Sequence, residues 1–328
     1  MSFTLIFNDS VIITNPLSEC NWTAVEGSEN TQYTTTDNPT SLTGFRDETL
    51  SDKLTHILNI PDSVIYINMC AFQNCTSLTS ITIPSSVTSI GSAAFIMCSS
   101  LTSIYIHYGL NSIGPGAFQN CTSLTSITIP SSVTSIEQYA FQNCAALESI
   151  IIPNSITSIQ NYTFSNCSVL QNITIPDSVT SIGNNAFQDC IALTNVNIYD
   201  SVTSFGEYVF CRCTALQNIN IPLGVTAITE CSFIACVSLQ SVTIPASVTS
   251  IYNSAFQYCT KLNIVYILSN ELVTTENNVF SGISPNAILY TTSANINNTS
   301  LTQYFANVYL YDSLFTPPSF IQESLNAE

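Results

Sequence analysis

The sequence predicts a solenoid of stacked parallel β coils, and two observations predict it. The first is a duplication. The stretch "AFQNCTSLTSITIPSSVTSIG" begins at Ala71, and "AFQNCTSLTSITIPSSVTSIE" begins at Ala117, 46 positions later. The second is a pair of columns. Phe recurs at 72, 95, 118, 141, 164, 187, 210, 233 and 256, and Cys at 75, 98, 121, 144, 167, 190, 213, 236 and 259, every step being 23. Leu follows three residues behind each Cys, from Leu78 to Leu262. A fixed period of roughly 20–50 residues marks a stacked supersecondary unit, so the unit here is 23 residues and the duplicate lies two units on.

One unit can be built from its residues. "LTSITIP" places Leu78, Ile81 and Ile83 in a β-prone stretch, which Pro84 ends. "SSVTSIG" follows, with Val87 and Ile90 inward and Gly91 available for a turn. "SAAFIMC" then brings Ala94, Phe95 and Cys98 inward, and the i to i+4 spacing of Ala94 and Cys98 suits one short helical turn. A single coil cannot bury its apolar face, whereas stacked coils bury each column against the next. Neighbouring strands would lie about 4.8 Å apart, so nine coils make a rod or arc on the order of 45 Å long. Crossovers between parallel strands should be right-handed.

The ends lack this pattern. Residues 1–53 carry neither column, and an N-terminal cap is expected there. Its first residues, "MSFTLIFNDSVIITN", have no basic n-region and read as two short strands around a polar turn, with no signal peptide. "LTHILNIPDSVIYIN", from Leu54, aligns Ile60, Pro61, Val64 and Ile67 with Ile83, Pro84, Val87 and Ile90. The coils are therefore expected over 54–280. After Phe256 the next aligned aromatic is Phe280, a step of 24, and Glu271 falls where an inward Val is due. Residues 281–328 are expected to form a C-terminal cap.

Composition excludes several classes of function. Hydrophobic residues make up 45% and charged residues 8% of the chain, so solubility rests on hydroxyl and amide groups and on a net charge of −17. The basic residues are Arg46, Lys53, Arg212 and Lys261, too few and too scattered for a phosphate-binding surface. Nucleic acid and anionic membranes are not expected partners. No apolar run is long enough to span a bilayer.

The repeat pattern L-x-x-I-x-I-P-x-S-V-x-x-I-G-x-x-A-F-x-x-C resembles the BspA-like class of leucine-rich repeat. The nine Phe/Cys units cover roughly 60–280, and "SPNAILYTTSANINNTSLTQYFANVYLYDS" resembles the segment that closes such arrays. The resemblance implies a leucine-rich-repeat solenoid, a β-rich α/β fold with short helical turns, that binds other macromolecules. It also implies a surface or secreted adhesin that contacts host-cell or matrix proteins. The alternative is an intracellular scaffold or self-assembling subunit, supported by the missing signal and the many cysteines.

The outward side chains of the strand are the candidate contact residues. One column gives Ser80, Ser103, Ser126, Asn172, Asn195 and Asn218, and the next gives Thr82, Tyr105, Thr128, Thr174, Asn197, Asn220 and Tyr266. Such a face hydrogen-bonds at low desolvation cost and has few anchors. It equally suits a merely solvated sheet. Departures from the repeat are sharper: Tyr105, His107 and Tyr108 replace Thr, Pro and Ser and form a candidate anchor patch, and Tyr199 also breaks the pattern.

Catalysis, cofactors and metals have little to draw on. The 13 cysteines are odd in number, and the recurring Cys falls on the inward side, where it acts as a small hydrophobe. No zinc spacing, phosphate loop, nucleophile elbow or recurring carboxylate pair is present, and the histidines are His56 and His107. No enzyme, cofactor or metal site is expected; a protein ligand and a possible homo-oligomer are. Sequons at Asn8, Asn21, Asn161, Asn172 and Asn298 are what chance gives in an Asn- and Thr-rich chain.

Overall fold

A computed structural model of the chain describes residues 64–311 throughout, together with residues 60 and 62 and the backbone of strands Phe3–Asn8, Trp22–Val25, Asn30–Thr35, Ser41–Leu42 and Leu58–Asn59. The fold is a parallel β solenoid of about eleven turns. Each coil contributes a longer strand, such as Ser80–Ile83, and a short one, such as Ser89–Ile90. Longer strands stack on longer strands and short on short, with Ile81 paired to Ile104 and Ile90 to Ile113. The 23-residue period is thus the register: partners across the ladders of the regular coils, from Tyr66 to Ile267, differ by 23.

Between the two ladders lies the core. Phe72, Phe95, Phe118 and their successors to Phe280 are buried and stack nearly parallel, with ring centroids 4.9 Å apart at Phe72–Phe95 and 5.7 Å at Phe141–Phe164. Burying each such ring contributes about 1.5–3 kcal/mol. The Leu column from Leu78 to Leu262 is fully buried beside it.

The third side of each coil is not the short helical turn that the Ala94–Cys98 spacing suggests. Two residues per coil have left-handed backbone, Cys70 (φ 58°) and Asn74 (φ 61°) in one coil and Ala93 and Met97 in the next, a conformation that ends any right-handed helix. The N–H groups alternate. Ala71, Gln73 and Cys75 donate to Asn68, Cys70 and Phe72 of their own coil, closing tight turns. Cys70, Phe72 and Asn74 donate to Ser92, Ala94 and Ile96 of the next coil, at 2.9, 2.6 and 2.9 Å. This strip is a third inter-coil ladder and satisfies backbone groups that would otherwise be buried unpaired. Among the described residues the α-helix is Thr299–Thr302.

Gly91 also has another role than a turn. A Cβ there would stand 2.7 Å from the backbone of Asn68 and Met69 in the preceding coil, and Gly114 meets Gly91 and Ser92 in the same way at 2.8 Å. Glycine lets coils approach closely at this corner.

The longer-strand ladder is interrupted after Ser149–Ile151, and again around residues 218–221, where pairing is reduced to the bridge of Asn220 to Thr243. Ser149–Ile151 pairs with Ser126–Thr128 before it, but no backbone hydrogen bond joins it to Asn172–Ile175 after it among the described residues. The turn strip continues across this seam, with Tyr162, Phe164 and Asn166 donating to Asn184, Ala186 and Gln188.

At the C-terminal end the period lengthens. Thr274 pairs with Ser250, a step of 24. The longer unit brings Val273 into the inward position and leaves Glu271 exposed, so no carboxylate enters the core. Strand Ile288–Thr291 and then Asn307–Leu310 continue the longer-strand ladder. Leu301 is buried, and Tyr304 and Phe305 lie edge-on against Phe280. Of the N-terminal region, Phe3–Asn8 and Trp22–Val25 flank Asn30–Thr35 in an antiparallel sheet, and Ser41–Leu42 pairs in parallel with Tyr66–Ile67. The second of the two N-terminal strands expected from the sequence lies outside the described residues, as does His56.

Candidate functional site: the longer-strand face

The alternation of the longer strands sorts their residues between core and solvent. In Ser103–Ile106, Ile104 and Ile106 are buried while Ser103 and Tyr105 are exposed. Register brings the outward residues into rows across the coils. Ser80, Ser103, Ser126 and Ser149 lie side by side, as do Thr82, Tyr105, Thr128 and Ile151. Beyond the seam Asn172 pairs with Asn195 and Thr174 with Asn197, and the Asn195 side-chain amide donates to Asn172 Oδ1 at 3.1 Å. Asn218 is half-buried and Asn220 exposed, the latter bridging to Thr243.

Tyr105 is 59% and Tyr108 71% exposed, and the Tyr105 ring meets the exposed His107 edge-on, with centroids 4.7 Å apart. Tyr105 and His107 therefore form an aromatic pair among hydroxyl- and amide-bearing residues, with the exposed Tyr108 next to it in sequence. Tyr266 departs from the outward placement that its column implies. It is buried, because Tyr290 of the next coil stacks on it at 5.1 Å and Tyr309 stacks on Tyr290 at 5.6 Å. Burial raises its phenol pKa, with Tyr290 and Tyr311 adding to the effect. Tyr266 belongs to a tyrosine stack, not to the accessible face.

The seam opens a cleft of about 460 Å³ on this face. Asn172, Thr174 and Tyr199, all expected contact residues, line it. So do Ile151, Asn154 and Asp177, which the sequence did not single out. Ile151 is 80% exposed in a row where its neighbours are Thr128 and Tyr105. That substitution was visible in the column; the open ladder beside it was not.

Thiol chemistry is absent from this face. Cys98 Sγ donates to the carbonyl of Phe72, Cys121 to Phe95 and Cys144 to Phe118, at 3.1–3.2 Å, and the series runs to Cys259 and Phe233. No disulfide joins the described cysteines to one another. Burial pushes the thiols of Cys144, Cys190 and Cys259 up to about 12, so they are protonated at neutral pH. Among the described residues no group of three or more His, Cys, Asp or Glu could hold a metal ion, and no helix is long and apolar enough to cross a membrane. One ion pair is present among them, with Arg212 bidentate to Asp189 at 2.5 Å.

The family model "BspA type Leucine rich repeat region (6 copies)" matches residues 43–169, 134–263 and 180–308. The chain belongs to this family. The BspA-type model describes a repeat and indicates no catalytic family. No curated protein matches the chain. Solved structures with similarity include a leucine rich cell surface protein from Faecalibacterium prausnitzii, 24% identical, covering 93% of this chain and 96% of its own, with a TM-score of 0.40. A leucine rich repeat protein of T. pallidum is 26% identical over 62% of this chain and 91% of its own, with a TM-score of 0.47. A leucine-rich repeat protein from Bacteroides ovatus is 22% identical over 93% and 100%, with a TM-score of 0.42.

Proposed function

We propose that this BspA-type solenoid is a non-catalytic protein-binding module that meets its ligand through the longer-strand face. The family membership supports protein binding, and the observation that carries the choice of face is the exposed Tyr105–His107–Tyr108 group among rows of Ser, Thr and Asn. Aromatic residues ringed by neutral polar groups are the usual composition of an interface anchor. The favoured setting is the cell surface or beyond, as an adhesin for host-cell or matrix proteins.

The test is capture. The immobilised chain is offered surface-labelled host cells' proteins and purified matrix proteins, beside a variant with Tyr105→Thr, His107→Pro and Tyr108→Ser, the residues of neighbouring coils. The wild type should retain a ligand that the triple variant releases at least about tenfold faster, the equivalent of about 1.4 kcal/mol. Equal retention by both chains would remove the face from the proposal.

A second reading, an intracellular scaffold, is favoured by one observation: no disulfide joins the described cysteines to one another, a state that a reducing compartment preserves. It predicts cytoplasmic partners or concentration-dependent self-association in place of a host ligand.

A further inference from the structure

The cleft at the seam combines three features of the longer-strand face. The ladder between Ser149–Ile151 and Asn172–Ile175 is open, so backbone polar groups that pair elsewhere face the cleft region without a backbone partner. Ile151 projects into solvent with 80% exposure, and Tyr199 forms another part of the lining. Asp177 brings a carboxylate to the lining, with no side-chain hydrogen bond or ion pair to any described residue.

Charge decides what could bind there. Exposed Glu148 and Asp200 lie in sequence beside the lining residues Ile150 and Tyr199. The described cations do not compensate: Arg212 is committed to Asp189, and Lys261 lies several coils further along. The net charge of −17 adds a field of the same sign. A second copy of this chain, with four basic residues in all, is a poor match. The volume of about 460 Å³ accommodates one or two side chains and their backbone, not a broad protein surface.

We propose that the seam is a peptide site, taking a short extended segment of a partner protein in which an aliphatic residue sits beside a lysine or arginine. The aliphatic side chain packs on Ile151 and the ring of Tyr199. The cation lies against Asp177, and the segment's backbone hydrogen-bonds to Asn154, Asn172 and the open strand edge. The proposal rests on the protein-binding reading above and adds to it a second contact, away from Tyr105.

The probe is a displayed library of short random peptides, panned on the full chain. Enriched peptides are then measured by fluorescence anisotropy against wild type, Ile151→Thr and Asp177→Asn. Thr stands at the Ile151 place in the coils on either side, as Thr128 and Thr174, so the first variant keeps the coil. The enriched peptides should pair an aliphatic with a basic residue. They should lose about tenfold in affinity on Ile151→Thr and about fivefold on Asp177→Asn, and the second variant should flatten the salt dependence. The Tyr105, His107 and Tyr108 triple variant should bind them unchanged. No enrichment, enrichment of peptides without a basic residue, or indifference to both seam substitutions would overturn the proposal. Peptides lost only in the triple variant would also overturn it, while leaving the protein-binding reading intact. Failure of the capture experiment with seam peptides still bound would instead count against that broader reading alone.

Discussion

The thiol of Cys98 donates to the carbonyl oxygen of Phe72 at 3.1 Å, across the boundary between two coils. The same carbonyl accepts the N–H of Cys75 in its own coil at 3.2 Å. The two recurring residue types are thus coupled: Phe fills the core, and the Cys of the next coil satisfies the second lone pair of its carbonyl. The columns of Phe and Cys persist together for that reason.

Replacing Cys144 by Ala removes the bond to Phe118 and leaves a small void in a buried column. The expected loss is about 1–3 kcal/mol of stability, read from the denaturant midpoint. Phe164→Ala, which empties the centre of the ring stack, should cost about 3–5 kcal/mol.

The thiols also set an alkaline limit. Those of Cys144, Cys190 and Cys259 are raised from 9.0 to about 12 by burial. A folded pKa above the unfolded one means that the native state holds the proton longer. The contribution is therefore full below pH about 9 and is lost as pH rises toward about 12. Each such thiol removes about 1.4 kcal/mol per pH unit in that window, so the melting temperature should be flat near neutrality and fall steeply above pH about 9. Native protein at pH 7 should resist alkylation at these positions, and unfolded protein should not.

Gly114→Ala would place a Cβ 2.8 Å from Gly91 and Ser92 of the coil before, and backbone must move to admit it. The expected cost is about 1–3 kcal/mol, seen in thermal denaturation. The opposite sign is expected at Ala93. Its φ of 53° is left-handed, so Ala93→Gly relieves about 1 kcal/mol of strain and should be neutral or slightly stabilising.

Sequence and structure agree where a side chain has one physical solution. The Phe, Leu and Cys columns, the longer strand ending at its proline, and the outward rows of Ser and Thr all follow from a repeated need to bury or solvate the same position. The tight-turn strip was not legible, because Ala94 and Cys98 have helical spacing and the left-handed places are filled by residues as varied as Ala93, Met97, Tyr139 and Arg212. Asn at 74, 120, 143, 166, 185 and 278 and Gly at 116 and 282 hint by residue type at positive φ there. Tyr266 looked outward because its column is outward; the longer unit after Phe256 adds Tyr290 above it and closes it off. The seam adjoins Ile151, which stands where the coils on either side have Thr128 and Thr174, but an outward side chain does not by itself announce an open ladder.

The proposal stands most directly on where the chain meets its ligand. Antibody labelling of intact source cells, with permeabilised cells as the control, tests it. Intact cells should be labelled. Labelling only after permeabilisation would contradict an adhesin and place this solenoid among intracellular partners.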